Sequence, residues 1–252
     1  MSVPLSQIVR YCESVLKTQT FTDYSGAANG LQVQNHGKVT RIAAAVDASQ
    51  NVIQKVVASG ADFLLVHHGL FWGPSQPWTG RRYELLRLLL DHNLAVYSSH
   101  LPLDAHPRLG NNRQLANALG LGKSQPFFFE KNQHLGLQFT SDLSRTELAD
   151  RLATATGNKP TVIPGGPERC RRIGVVTGGA GERIELAASE GVDTFITGEG
   201  KHWTFALAED AGINVLYGGH YATETFGVKA LAAHLAKKFK LSWEFIDHPT
   251  GL

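Results

Sequence analysis

Short apolar runs alternate along this chain with segments in which apolar residues recur every three or four positions. Residues 41–49, RIAAAVDAS, form one such run, and the helical pattern NVIQKVVAS, Gly60 and a second run, ADFLLVHH, follow it. Apolar runs of this length are typical of strands that are buried on both faces, and a glycine is a common cap at the end of a helix. The pattern therefore predicts a βαβ unit over residues 41–68.

The same pattern recurs 131 positions later. RIGVVTGGA, ERIELAASE, Gly191 and VDTFITGE follow one another in the same order, and Arg, Ile, Gly and Asp recur in register. Five of the 28 aligned positions are identical. This identity is compatible with drift after a duplication and with two βαβ units that converged on the same physics. The order of the elements favours a duplication.

Each repeat continues with a helix and a third strand. The first has YELLRLLLDHN and LAVYSSH, the second has WTFALAEDAGI and NVLYGGH, and their offset is 120 positions. An insertion of 11 residues in the first repeat accounts for the change. The region that contains the insertion, FWGPSQPWTGRR and its neighbours, is rich in Gly, Pro and Trp, which predicts a long loop directly after His67 and His68.

Each repeat also opens with a helical pattern. The first begins with LSQIVRYCESVL, and the second begins after Ser144, which forms a capping-box pattern with Glu147. We therefore predict an α/β fold with two similar α/β domains that arose by internal duplication, each built on βαβ units. The predicted halves are residues 1–128 and 129–252.

Composition and charge narrow the class of protein. The 252 residues are 42% hydrophobic and 18% charged, which excludes a disordered chain. A formal charge of +2 does not predict nucleic-acid binding, and the run of Arg169, Arg171 and Arg172 is typical of a solvated strand edge. No apolar run approaches the roughly 20 residues of a membrane helix, and no signal-peptide core is present. We expect a cytoplasmic protein whose two cysteines, Cys12 and Cys170, are reduced and buried.

Ionisable side chains follow three of the predicted strands. In parallel α/β sheets, ligands bind at the carboxyl ends of the strands, so these side chains are expected near a site. They are His67 and His68, then His100 and Asp104, and in the second repeat His220 and Glu224. His220 and Glu224 are four residues apart, a spacing that places both side chains on one face of a helix. The sequence thus offers a mixed set of imidazoles and carboxylates.

Each of these residues also has a purely structural interpretation. Adjacent histidines at a strand end point to opposite faces, so one of His67 and His68 can be a core residue. Asp104 can cap a helix, and Glu224 can stabilise the first turn of one. Taken together, the nitrogen and oxygen donors suit Zn, Mn, Fe, Co or Ni, and we predict a metal site whose metal the sequence does not identify.

Over nearly the whole chain, the sequence resembles the GTP cyclohydrolase type-two group, also called the Nif-three-like dinuclear-metal proteins. The motifs that carry the resemblance are NGLQV at 29–33, VHHGLFW at 66–72, HLPLDAHPRLGNN at 100–112, ITGE at 196–199 and GGHYATE at 218–224. The resemblance implies that two divalent metal ions are ligated by five residues, namely His67, His68, Asp104, His220 and Glu224. It also implies that the two domains are interlocked and that the chain self-associates into a toroidal homohexamer.

The resemblance also implies an activity. A metal pair activates water for hydrolysis, and the family name implies attack on the imidazole ring of guanine with release of formate, so we expect a nucleotide-like substrate. His100 occupies the repeat position of His220 but matches no family ligand, so it is a candidate proton carrier or a structural residue. Glu199, at the repeat position of His68, is a candidate acid/base or a support for a ligand. The alternative is a non-catalytic metal-binding protein that acts as a regulator or scaffold.

Overall fold

The computed structural model describes residues 2–72 and 76–252, which fold into two compact units. The first unit comprises Met1–Leu103 and Val228–His248, and the second comprises Asp104–Gly227 and Pro249–Leu252. Each unit is thus assembled from two separate stretches of the chain. These units divide the chain differently from the predicted halves 1–128 and 129–252, which stay a prediction about the repeat.

The chain alternates between helices and strands for most of its length. In chain order, the elements of the described residues are β1 (Val3–Pro4), α1 (Leu5–Leu16), β2 (Gly30–Val33), β3 (Lys38–Val39), β4 (Arg41–Asp47), α2 (Gln50–Ser59), β5 (Phe63–His68), α3 (Arg81–Asp91), β6 (Ala95–Ser98), α4 (Leu101–Asp104), α5 (Asn111–Ala118), β7 (Ser124–Glu130), β8 (Gln133–Ser144), α6 (Arg145–Thr156), β9 (Thr161–Pro164), β10 (Arg169–Val175), α7 (Ile184–Ser189), β11 (Thr194–Thr197), α8 (Thr204–Ala211), β12 (Asn214–Tyr217), α9 (His220–Phe239) and β13 (Ser242–Phe245). Short 3-10 turns occupy Thr18–Thr20 and Ala180–Arg183.

The first unit is built on a sheet with the order β13-β4-β5-β6-β2. The first four strands are parallel to their neighbours, and β2 pairs antiparallel with β6. Helix α2 buries Val52, Ile53 and Val56 in the core beside this sheet. It ends at Gly60, whose positive φ of 75° suits the left-handed cap. The predicted βαβ unit is therefore confirmed.

The second unit is built on a sheet with the order β7-β8-β10-β11-β12-β9. Strands β10, β11 and β12 are parallel, whereas β7, β8 and β9 pair antiparallel with their neighbours. The capping box predicted at Ser144 and Glu147 is present, and α6 buries Leu148 and Leu152 behind it. The long β7–β8 hairpin was not predicted, because its polar and apolar residues do not alternate consistently.

The pairing register supports the predicted repeat in its first two strands and corrects it in the third. Ile42 pairs with Phe63 in the first unit, and the residues 131 positions later, Ile173 and Thr194, pair in the second. Phe63 then pairs with Ala95, whereas Thr194 pairs with Asn214. The third strands are therefore 119 positions apart, and the predicted offset of 120 was one residue too large. Strands that are buried on both faces lack the alternation that would have shown this slip.

Three further predictions can be compared with the described residues. Cys12 and Cys170 are free and buried, as expected. The predicted loop after His68 has neither helix nor strand up to α3, although residues 73–75 of that prediction lie outside the described residues. Among the described residues, no helix combines the length and the apolar character needed to span a membrane.

Candidate metal centre

His67 and His68 are the last two residues of β5, at the carboxyl end of the first unit's sheet. His67 is fully buried, and its Nδ1 donates to the carbonyl oxygen of Ser99 at 2.9 Å. The Nδ1 of His68 donates to Asp47 Oδ1 at 2.8 Å. Although neighbouring residues of a strand alternate in direction, the two ring centroids are only 4.7 Å apart. Neither histidine is therefore an isolated core or surface residue.

His100 joins these two rings from the end of β6. Its centroid lies 4.9 Å from that of His67 and 5.6 Å from that of His68, and its Nδ1 donates to Asp23 Oδ1 at 2.9 Å. Each of the three histidines offers a potential ligand atom, and these atoms lie within 4.8 Å of one another. An oxygen acceptor on Nδ1 leaves Nε2 as the lone-pair atom, which is the usual arrangement around metal-ligating histidines. The first unit thus gathers three imidazoles whose chemistry suits a transition metal.

The side chains that hold these histidines were not identified from the sequence. Asp47 is the last residue of β4, and Asp23 lies in the segment between α1 and β2. Asn29 and Gln32 belong to the NGLQV motif, and Gln32 Oε1 accepts a hydrogen bond from Leu70 N at 2.6 Å. Gln32 thereby fixes the chain just after the histidine pair. The sequence did contain one indication of these partners, because Asp47 lies near the end of a predicted strand and His68 ends the next one.

Two exposed aromatic rings lie against this histidine group. The Trp72 ring is 4.9 Å from His100 and 5.6 Å from His68, and the Tyr24 ring is 5.9 Å from His100. About half of each residue is exposed. Exposed aromatic rings beside polar groups provide surfaces on which flat ligands stack.

In the second unit, His220 and Glu224 lie one turn apart at the start of α9, as the spacing predicted. His220 Nε2 is 3.2 Å from Glu224 Oε2, and its Nδ1 donates to Glu199 Oε1 at 2.8 Å. Burial alone lowers the pKa of His220, but the hydrogen bonds and charges of Glu224 and Glu199 outweigh it and raise this pKa to about 9. The surroundings of His220 therefore favour positive charge.

Two carboxylates of the second unit, those of Glu224 and Asp104, are buried. Glu224 is 3% exposed and Asp104 is 7% exposed. Asp104 Oδ1 accepts hydrogen bonds from Asn111 Nδ2 at 2.8 Å and from Thr177 Oγ1 at 3.3 Å. Gly178 leaves room for Glu224, since a Cβ at this position would clash with Glu224 Oε1. Buried carboxylates are costly unless they are paired or bind a cation, so this set also fits a metal.

The structure thus gathers side chains of metal-ligating types at two places, one in each unit. His67, His68 and His100 come together in the first unit, and His220, Glu224 and Glu199 come together in the second, where Asp104 has its own polar environment. Neutral imidazoles and buried carboxylates are donors that suit divalent transition metals, and His220 would have to release a proton in order to bind one. That five of these residues hold two metal ions stays a prediction.

Comparison with known proteins gives a consistent result over almost the whole chain. Residues 3–250 match the family Duf34/NIF3 (NGG1p interacting factor 3). The chain is 42% identical to a protein of Deinococcus radiodurans named "GTP cyclohydrolase 1 type 2 homolog", over 98% of this chain and 94% of that protein. A protein of the same name from Halobacterium salinarum is 44% identical, over 92% of this chain and 94% of its own length.

Solved structures have the same fold. TTHA1606 from Thermus thermophilus matches with a TM-score of 0.91 and 41% identity, over 99% of this chain and 100% of that chain. Reduced HcgD from Methanocaldococcus jannaschii matches with a TM-score of 0.87 and 26% identity, over 98% of this chain and 99% of that chain.

Proposed function

Since the chain belongs to the Duf34/NIF3 family, we propose that it is a metal-dependent hydrolase that acts on a nucleotide-like substrate. One observation carries the proposal. Each histidine of the first unit's group has its Nδ1 held by an oxygen acceptor, which makes Nε2 the lone-pair atom that a metal or a reacting proton would meet. The name "GTP cyclohydrolase 1 type 2 homolog" of the relatives supports the reaction class.

The proposed metal ligands are the five residues that the resemblance indicates: His67, His68, Asp104, His220 and Glu224. Two divalent ions, of Zn, Fe, Mn, Co or Ni, would lower the pKa of a water molecule and polarise the bond under attack. The burial of both carboxylates supports a cation at these side chains. Glu199 holds the ring of His220 through Nδ1 and acts as its support.

Two further residues of the first unit, His100 and Trp72, move protons and bind the substrate. The Nε2 atom of His100 accepts a proton from the water that attacks the substrate. It then returns a proton to the substrate nitrogen that leaves, which is general acid–base catalysis. Trp72 offers an exposed indole beside His100, on which a purine ring can stack. This arrangement favours a substrate with a flat heteroaromatic ring.

The experiment that tests the proposal measures metal content and formate release from GTP in the same preparations. His68→Ala should lower metal content and turnover together. His100→Ala should keep its metal but lose about 10²–10⁴-fold in turnover, the usual contribution of a general acid or base. His36→Ala is the matched control, because His36 is an exposed histidine of the same unit, and it should change neither quantity.

The alternative function is that of a metal-binding regulator or scaffold without turnover. Metal-loaded protein that released no formate and hydrolysed no other nucleotide or phosphoester would favour it. Protein purified without chelators that held no metal, together with a silent His68→Ala variant, would exclude both functions. The toroidal homohexamer and the cytoplasmic location are part of the proposal, and light scattering of the purified protein tests the first of them.

A further inference from the structure

We propose that Asp23 is a positioning residue that holds His100 in the tautomer with its proton on Nδ1, so that Nε2 is the atom presented to the substrate. The catalytic consequence rests on the function proposed above, whereas the tautomer does not. Asp23 Oδ1 and His100 Nδ1 are 2.9 Å apart, and the two side chains are only 6% and 11% exposed. An aspartate at this distance from a histidine can fix both its orientation and its tautomer.

The carboxylate of Asp23 is used as an acceptor on both oxygens. Oδ1 accepts from Tyr24 N at 2.7 Å as well as from His100, and Oδ2 accepts from Asn29 Nδ2 at 2.8 Å and from Leu101 N at 3.1 Å. Besides the histidine, the three N–H donors of Tyr24, Asn29 and Leu101 point at this carboxyl group, and donors of this kind favour the ionised form that an aspartate already has at neutral pH. An ionised Asp23 can only accept, so the nitrogen of His100 that faces it must carry a proton.

A second side chain fixes the backbone of the same histidine. Asn29 donates through Nδ2 to Asp23, and its Oδ1 accepts from His100 N at 2.7 Å. The ring and the main chain of His100 are thus held by two connected side chains from the segment before β2. The arrangement limits rotation of the ring, which keeps Nε2 in one direction.

A purely structural role for Asp23 makes a different prediction. Because Asp23 also accepts from Leu101 N, at the start of α4, it can be regarded as a staple between two segments. A staple would contribute to stability without affecting the tautomer of His100. The choice between the two roles therefore requires a measurement on the histidine ring itself.

The test is ¹⁵N solid-state NMR of protein with ¹⁵N-labelled histidine, saturated with diamagnetic Zn²⁺. The spectrum of His100→Gln identifies the His100 signals among those of the 11 histidines. In the wild-type protein, His100 should show a protonated Nδ1. In Asp23→Asn, where an amide NH₂ replaces one acceptor, the Nδ1-protonated form should lose its dominance, and formate release should fall by about 10²–10⁴-fold with little change in KM.

Asp62→Asn is the matched control. Asp62 also binds several donors of the first unit, namely Thr40 N, Thr40 Oγ1 and Arg41 N, but none of its side-chain hydrogen bonds goes to a histidine in the part of the chain described. It should lower stability while leaving the His100 tautomer and KM unchanged. A tautomer shift of equal size in Asp62→Asn would overturn the proposal, as would an unchanged tautomer in Asp23→Asn.

The wild-type spectrum tests the proposal even if Asp23→Asn does not fold. A proton on Nε2 of His100 in the folded wild-type protein would contradict it directly. A wild-type protein with the expected tautomer but without hydrolysis of any nucleotide would leave the positioning role of Asp23 in place and remove only the proposed function.

Discussion

The two units share one plan but place different chemistry on it. In the first unit a helix, an antiparallel edge strand and three parallel strands follow in the order α1, β2, β4, β5 and β6, and in the second the order is α6, β9, β10, β11 and β12. Near the strand ends the first unit gathers three histidines, two of which are held by aspartates, whereas the second places a single histidine between two glutamates. The shared order of helices and strands therefore determines the position of a site more strongly than the side chains that the site contains.

The identities between the repeats lie at positions that hold the fold. Ile42 and Ile173 are buried in equivalent strands, and Ile53 and Ile184 are buried in equivalent helices. Gly60 and Gly191 both have positive φ values, which a residue with a side chain rarely adopts. These shared residues agree with the predicted duplication, but the same physical needs would also arise in two units of independent origin.

Asp62 and Asp193 are another identical pair of the two repeats, and both make the same kind of hydrogen bond. Asp62 accepts hydrogen bonds from Thr40 N and Arg41 N, and Asp193 accepts from the backbone N–H groups 131 positions later, those of Arg171 and Arg172. In both units the carboxylate lies just before one parallel strand, β5 or β11, and binds backbone N–H groups at the neighbouring parallel strand, β4 or β10. We call this arrangement the strand clamp.

The difference between the units is clearest where Asp47 and Gly178 occupy the same repeat position. Asp47 holds the ring of His68, whereas Gly178 has no side chain because Glu224 fills that space. Gly178→Ala should displace Glu224 and lower metal affinity by about 10–100-fold, the range seen when the surroundings of a ligand are altered. Titration with a divalent metal followed by calorimetry measures the change.

Gly212→Ala is the control for this substitution. Both glycines have a positive φ, 72° for Gly178 and 67° for Gly212, but a Cβ at Gly212 would meet no atom within 4 Å. Both variants should lose about 1–2 kcal/mol from backbone strain, and only Gly178→Ala should lose metal affinity. Equal metal affinity in the two variants would show that the space next to Glu224 does not matter.

The sequence predicted the parts of the fold that depend on local pattern. The buried strands, the glycine caps and the capping box at Ser144 all follow from residues close together in the chain. The edge strands β2, β9 and β13 were missed because they are short and half-buried, so their residues show neither a continuous apolar run nor a clear alternation. Their positions depend on pairing partners that are distant in the sequence.

The candidate site was predicted in the same uneven way. The histidines at strand ends were visible because strand ends are where parallel sheets place ligands. Asp23 was not, because it lies in an irregular segment, 77 residues before the histidine that it binds. Contacts of this kind follow from the tertiary fold, and a single sequence contains no periodic signal for them.

The strand clamp offers a second way to test the comparison. Asp62→Ala and Asp193→Ala should each lower the free energy of unfolding by about 1.5–3 kcal/mol, since each removes hydrogen bonds to a charged acceptor. Asp142→Ala, at a side chain that is 76% exposed, should change it by less than about 0.5 kcal/mol. Denaturant unfolding measures all three. A large cost at one clamp and none at the other would show that the two units use this position differently.

The smallest expected effect concerns the helices α1 and α6, which open the two repeats. Hydrogen bonds from Ser144 lower the pKa of Glu147 in α6, whereas α1 follows Pro4 and has no side-chain cap. Because the pKa of Glu147 is lower in the folded state, its stabilisation of α6 is present above the unfolded pKa and is lost as the pH falls through the folded value. Amide exchange in α6 should therefore be faster in Glu147→Gln than in the wild-type protein at pH 7, and the difference should disappear in acid. Exchange in α1 should be the same in both proteins. A difference in α6 that persisted unchanged in acid would show that the carboxylate charge of Glu147 does not stabilise the cap.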